Sequence, residues 1–130
     1  MQAGTSADGP AAPALVWERY ADPGRWAGWA PQIRRVETAA TRIAPGVTGR
    51  VHGPLGVRVA FTVTAVDEAA RTWAWDVTAG PLRLHLCHGV EADGHSWLTI
   101  DGPAPVVVAY LPVARTALRR LVRASSAADP

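Results

Sequence analysis

The chain has 130 residues, 48% of them hydrophobic, and a net charge of +2. This length suits one domain with a real core and is too short for two, and the small charge argues against nucleic acid as a partner. The single Cys87 cannot form an internal disulfide, and no apolar run has the length of a signal peptide core or a membrane span, so we expect a cytoplasmic protein without a membrane partner.

The first 12 residues contain no large apolar side chain after Met1. They bury too little surface to offset the entropy of ordering the chain. We therefore expect residues 1–12 to be flexible or, at most, a weak edge strand.

Two short helices are predicted next. Leu15, Val16 and Tyr20 have helical spacing within a helix predicted over residues 14–21, and Asp22-Pro23-Gly24 ends it. A second helical turn carries Trp26 and Trp29, whose spacing of three residues places both indoles on one face.

From Ile33 onward the hydrophobic period changes to two, which predicts strands with one buried face. The predicted strands are Ile33–Thr41, Val47–His52, Val57–Ala65, Thr72–Thr78, Leu82–Val90 and Ser96–Asp101. Asp93-Gly94 is a hairpin signal between the last two.

A long helix is predicted from Pro105 to about Ser125. Its apolar stripe recurs at steps of three and four residues. The stripe consists of Val107, Tyr110, Leu111, Ala114, Leu118, Leu121 and Val122. Arg115, Arg119 and Arg123 lie on the opposite, solvated side, and Pro112 predicts a kink that places Tyr110 on the inward face. Short helices, consecutive strands and this helix together indicate an α+β fold in which a curved antiparallel sheet wraps around the helix.

Particular residues connect this pattern to a known family. They are Trp17, Tyr20-Ala21-Asp22-Pro23, Trp26-x-x-Trp29-x-Pro31, Gly46, Thr64-Ala65-Val66-Asp67, Trp73-x-Trp75, Gly102-Pro103 and Pro112. Over about residues 12–124 the chain resembles the polyketide cyclase/dehydrase branch of the START-like (SRPBCC, birch-pollen-allergen-like) superfamily. The resemblance implies a helix-grip domain over residues 13–126 with a tail at 127–130, a sheet of six to seven strands, and an apolar cavity between the sheet and the long helix.

Two polar side chains are candidates for chemistry in such a cavity. His88 shares its strand face with Leu84 and Leu86, and Tyr110 approaches from the helix. The imidazole and the phenol would act as base and oxyanion donor on an enolisable ketone, or would bind a ligand carbonyl. The alternative is structural: a core histidine bonded to a backbone carbonyl, and a tyrosine that fills the helix kink.

The remaining candidates are ligand-contacting side chains. The predicted substrate-binding residues are Trp26, Trp29, His52, Phe61, Trp73, Trp75, Leu86 and Val107. Trp73 and Trp75 either build core or form an aromatic wall, Trp26 and Trp29 either close the end of the core or contact the ligand, and His52 lies at the cavity rim.

No metal or cofactor is predicted. His85 and Cys87 point to one strand face and His88 to the other, so the three cannot share a metal ion. The chain also has no glycine-rich nucleotide loop, nucleophile elbow or paired-carboxylate spacing.

Three functions remain open. The first is an enzyme of polyketide-type natural-product biosynthesis that cyclises or dehydrates a hydrophobic, carbonyl-bearing substrate. The second is a non-catalytic carrier or sensor of a hydrophobic ligand, and the third is an interaction domain whose cavity is filled by its own side chains.

The N-terminus also leads to a prediction about assembly. Members of this superfamily begin with an apolar strand, whereas Gln2 to Pro10 is expected to pair poorly. Ser96–Asp101 would then be an open sheet edge with Trp97 on its outer face, and an open edge is a template for another strand. A homodimer that covers Trp97 is therefore predicted.

Overall fold

The computed structural model describes residues 1–124, which form one seven-stranded antiparallel sheet and three helices. The strands are β1 (Gln2–Ala7), β2 (Arg35–Glu37), β3 (Thr48–His52), β4 (Arg58–Asp67), β5 (Thr72–Ala79), β6 (Leu82–Val90) and β7 (Ser96–Asp101). The helices are α1 (Pro13–Ala21), α2 (Trp26–Trp29) and α3 (Ala104–Leu121), with 3-10 turns at Pro23–Arg25 and Pro54–Gly56. The strand order is β1-β7-β6-β5-β4-β3-β2. The predicted α+β helix-grip fold is confirmed. The long helix ends at Leu121, about one turn before the predicted end near Ser125, and the domain end at 126 and the tail at 127–130 lie outside the described residues.

The N-terminal segment forms a true strand, so the prediction that it pairs poorly is wrong. β1 pairs with β7 in continuous antiparallel register from Gln2 opposite Asp101 to Ala7 opposite Ser96. The Met1 amino group extends this pairing by donating to the Gly102 carbonyl at 2.9 Å. Strand pairing uses backbone groups, which every residue in β1 supplies, and the small side chains of β1 fit beside α3.

Pairing with β1 removes the basis of the predicted dimer. β7 lies between β1 and β6, so it is not an open edge. The Trp97 indole is half-buried because it covers Gly89, where an added Cβ would lie 2.3 Å from the ring. The glycine therefore accommodates the indole within the chain itself, and no partner is needed to cover it.

The core lies between the concave face of the sheet and α3. Trp73, Trp75, Leu86, Leu98 and Ile100 are buried on that face, as strand alternation predicts. One irregularity interrupts the pattern in β4. Its pairing with β5 shifts register after Val63, which leaves Ala65 exposed and turns Val66 inward.

Helix α3 begins at Ala104, one residue before the predicted start, and continues through Pro112. Val107, Ala114, Leu118 and Leu121 are buried, Tyr110 and Leu111 are half-buried, and the three arginines of the predicted polar stripe are exposed. Among the described residues, no helix is long and apolar enough to cross a membrane.

Buried Arg19 connects α1 to the end of α3. Its Nη1 donates to the carbonyls of Leu121 at 2.6 Å and Arg123 at 2.7 Å. The last carbonyls of a helix have no partner within the helix and carry the negative end of its dipole, which a guanidinium complements. Arg19 therefore fixes the position of α3 over the sheet.

The two short helices are joined by indole hydrogen bonds. Trp26 Nε1 donates to the Tyr20 carbonyl at 2.8 Å, and Trp29 Nε1 donates to the Arg19 carbonyl at 2.9 Å. Both indoles are buried. They thus close one end of the core, which is one of the two roles predicted for them.

Candidate ligand-binding site

An apolar cavity of about 380 Å³ lies between the concave face of the sheet and the first half of α3. Its volume falls in the range typical of small-molecule pockets, roughly 300 to 1,000 Å³. The lining consists of Gln32, Ile33, Val51, Gly53, Pro54, Val57, Val59, Trp75, Val77, Ala79, Leu82, Leu84, Leu86, Val106 and Tyr110. Val57 and Leu82 are exposed as well as lining, so the mouth of the cavity is also apolar.

A smaller compartment of about 30 Å³ adjoins this cavity and shares Gln32, Ile33, Trp75 and Tyr110 with it. Its other lining residues are Trp26, Trp29, Trp73, His88, Leu98 and Leu118. A compartment of this size is large enough to hold a water molecule. The polar groups of the site are therefore concentrated at one end of an otherwise apolar space.

His88 is a buried, neutral hydrogen-bond donor. Trp75 Nε1 donates to His88 Nε2 at 3.0 Å. Because an indole N–H only donates, Nε2 accepts through its lone pair and the ring proton is on Nδ1. Burial lowers the pKa of His88 to about 3, and Nδ1 has no hydrogen-bond partner among the described residues. The structure thus favours a donor role at Nδ1 over the base role predicted from the sequence.

Tyr110 offers a second donor. Gln32 Nε2 donates to the Tyr110 hydroxyl oxygen at 3.0 Å, which leaves the phenolic proton available for another acceptor. Burial raises the pKa of Tyr110, so the phenol stays protonated at neutral pH. Gln32 was not predicted as a site residue from the sequence. The only signal there is one amide side chain close to the apolar residues Ala30 and Ile33, both of which are buried in the structure.

Five of the eight predicted ligand-contacting residues line this space. Trp75 and Leu86 line the large cavity, and Trp26, Trp29 and Trp73 line only the small compartment. The aromatic wall and the core are here the same cluster, since the Trp73 and Trp75 rings lie 5.2 Å apart and Trp26 packs against both.

The other three do not line either space. His52 lies on the opposite strand face from cavity-lining Val51, with its Nε2 3.5 Å from Glu37 Oε2. Phe61 packs against Trp26 and Trp75 inside the core. Val107 is fully buried, and its neighbour Val106 lines the cavity instead.

Three polar atoms of the lining are buried without a hydrogen-bond partner among the described residues: the donors His88 Nδ1 and Trp73 Nε1, and the acceptor Gln32 Oε1. Among the described residues that line the cavity and its compartment, His88 and Tyr110 are the only ionisable side chains. Both are held in their neutral, proton-bearing forms. The site therefore suits a ligand with a large apolar body and a hydrogen-bond acceptor.

Comparisons with solved structures place this fold among known proteins. The ginseng major latex-like protein 151 from Panax ginseng superposes with a TM-score of 0.76 at 12% identity, covering 93% of this chain and 94% of that one. Ara h 8.0201 has a TM-score of 0.72 at 17% identity, with 93% and 94% covered. XoxI from Bacillus cereus has a TM-score of 0.73 at 14% identity, with 93% and 92% covered. At such identities these likenesses show the fold alone.

The family comparison is more informative. The model described as "Polyketide cyclase / dehydrase and lipid transport" matches residues 3–128. A search of curated proteins found no match. Family and fold together support a hydrophobic ligand-binding domain. The chain belongs to the polyketide cyclase/dehydrase and lipid transport family, within the START-like superfamily.

Proposed function

We propose that this protein binds an apolar small molecule that carries a carbonyl group, with the carbonyl oxygen at the Tyr110 end of the cavity. The observation that supports this most strongly is the pair of proton-bearing groups, the Tyr110 hydroxyl and His88 Nδ1, beside an otherwise apolar space. A carbonyl oxygen has two lone pairs and accepts two such hydrogen bonds.

The donors supply selectivity, and the apolar lining supplies most of the affinity. Leaving a buried donor without a partner costs about 1 to 3 kcal/mol, and a ligand carbonyl removes this cost. A hydrocarbon of the same shape does not. The carbonyl compound should therefore bind about fivefold to a hundredfold more tightly than its hydrocarbon counterpart.

A matched pair of ligands tests this proposal. 2-Acetylnaphthalene and 2-isopropenylnaphthalene have nearly the same shape and differ in a carbonyl oxygen against a methylene group. Calorimetric titration of wild type should show the preference for the ketone, and Tyr110→Phe should reduce it at least severalfold. Tyr20→Phe is the matched control, because it removes a hydroxyl group that is hydrogen-bonded to the Ser96 hydroxyl and does not line the cavity. Equal affinity of wild type for both compounds, or no binding of either, would refute the proposal.

A catalytic version of this function uses the same two donors. In an aldol cyclisation or a dehydration, negative charge develops on the substrate carbonyl oxygen, and preorganised donors stabilise it. The raised pKa of Tyr110 keeps its phenol protonated, and the lowered pKa of His88 keeps its imidazole neutral, with one proton on Nδ1, so both groups can donate where that charge would form. This supports a polyketide-type cyclase or dehydratase as the second candidate, with the donors acting as an oxyanion site.

Enolisation distinguishes the enzyme from the carrier. Exchange of the methyl protons of 2-acetylnaphthalene in D₂O, in which a solvent base removes the proton, can be followed by NMR. If the site stabilises the enolate, wild type should accelerate this exchange at least about tenfold more than Tyr110→Phe does. A protein that binds the ketone without accelerating exchange is a carrier or sensor.

A further inference from the structure

A second cluster of chemically active side chains lies on the convex face of the sheet, opposite the cavity. Cys87 Sγ is 3.6 Å from His85 Nε2, and His85 Nδ1 is 2.6 Å from Asp76 Oδ1. Asp76 Oδ2 accepts a hydrogen bond from Arg83 Nη2 at 2.7 Å. A thiol, an imidazole and a carboxylate are thus arranged in series.

Strand register produces this arrangement. His85 and Cys87 are two residues apart on β6 and project from the same face, while Asp76 on β5 is directly opposite His85. The carboxylate accepts a hydrogen bond from Nδ1–H, so in the neutral imidazole the lone pair of Nε2 faces the thiol. This is the order of groups that activates a nucleophile: the nucleophile, a base within reach, and a third group that orients the base.

We propose that Cys87, His85 and Asp76 form a reactive thiol site that takes small α,β-unsaturated carbonyl compounds by conjugate addition. The sulfur forms a bond to the β carbon as His85 Nε2 accepts the thiol proton. The π electrons of the C=C bond move to the α carbon and carbonyl, and the imidazolium then returns the proton to the α carbon. The net reaction is an addition, so it requires no oxidant, reductant or leaving group.

The surroundings of the thiol fit a small electrophile. Cys87 is half-buried, and its cross-strand neighbours Ala74 and Thr99 have short side chains. Cys87 lines neither the large cavity nor its compartment. Any acceleration of the conjugate addition would therefore come from proton transfer to His85 and not from binding of a large substrate.

The charges around His85 support its role as the base. The groups that face it are Asp76 on β5, Arg83 and Cys87 on β6, and Asp101, which is directly opposite on β7. Hydrogen bonds from His85 and Arg83 lower the pKa of Asp76, so its carboxylate is ionised at neutral pH. An ionised carboxylate on Nδ1–H stabilises the imidazolium formed during the addition.

Acrylamide is a suitable probe, because it is small, neutral and slow enough to reveal acceleration. Cys87 is the only cysteine, so the mass of the intact protein reports its modification alone. At pH 7, wild type should react at least about tenfold faster than His85→Gln, with Asp76→Asn between them. His95→Gln is the matched control and should match wild type, because it removes an imidazole that pairs with Asp8 and has no contact with the thiol.

The pH profile gives a readout that a structural role would not change. An unassisted thiol reacts through its thiolate, so its rate rises about tenfold per pH unit below its pKa. General-base assistance should instead make the wild-type rate rise much less steeply with pH, and His85→Gln should restore the steep rise. Equal rates in wild type and His85→Gln, or a steep profile in wild type, would overturn the proposal. The wild-type profile decides the question even if a variant fails to fold.

Discussion

Lowering the pH from 7 to 5 should destabilise this domain through His88. The imidazole is 4% exposed, and burial lowers its pKa to about 3, whereas an unfolded chain has a histidine pKa of about 6.5. Between these two values the unfolded state binds a proton that the folded state excludes. Stability from this group is therefore complete above the unfolded pKa and falls as the pH drops below it. The loss at pH 5 amounts to about 2 kcal/mol relative to pH 7.

Urea unfolding of wild type and His88→Gln at both pH values measures this contribution. Glutamine has a side-chain oxygen that accepts from the Trp75 indole, but it has no proton to gain in this pH range. Carboxylates with lowered pKa, such as Asp76 and Glu68, are common to both proteins and cancel in the comparison. Wild type should lose about 2 kcal/mol more than the variant on acidification. Equal losses would show that His88 is not held neutral by burial, and the assignment of Nδ1 as a donor would fail with it.

Three further predictions concern the fold and the cavity. Arg19→Met should lower the free energy of unfolding by about 2 to 3 kcal/mol, because the end of α3 loses a charged cap; a loss in urea unfolding below about 0.5 kcal/mol would contradict this role. Gly49→Ala should lower the free energy of unfolding by about 1 to 3 kcal/mol, because an added Cβ would lie 2.3 Å from a carbonyl oxygen. Gly28→Ala is the control: its added Cβ meets no atom within 4 Å, so the free energy of unfolding should be unchanged or slightly higher. Ala79→Trp should fill the cavity and weaken binding of 2-acetylnaphthalene at least about tenfold. Ala109→Trp, on the exposed face of α3, should leave the affinity unchanged. Equal effects of the two substitutions on affinity would mean that the ligand binds elsewhere.

Much of this architecture could be predicted because side-chain patterns reflect burial directly. Alternation along β6 placed His88 on the concave face, and the stripe on α3 identified the helix that covers it. The same alternation separated His85 and Cys87 from His88.

What could not be predicted depends on contacts between elements that are distant in sequence. β1 forms through backbone pairing with β7, about 95 residues away in the chain, for which its own small side chains give no signal. The register shift after Val63 turns Val66 inward against the expected alternation. The partner of His88 is Trp75, which lies diagonally across the pair of strands, and only that contact determines which ring nitrogen carries the proton.

The central claim is that a ligand carbonyl accepts hydrogen bonds from Tyr110 and His88, and infrared spectroscopy of the bound ligand tests it most directly. With 2-acetylnaphthalene labelled with ¹³C at the carbonyl, the difference spectrum against unlabelled ligand isolates one C=O stretch. Bound to wild type, this band should lie at lower frequency than for the ketone in hexane, and Tyr110→Phe should move it part of the way back. A band at the hexane frequency in a saturated wild-type complex would mean that the carbonyl receives no hydrogen bond, and the account would be wrong.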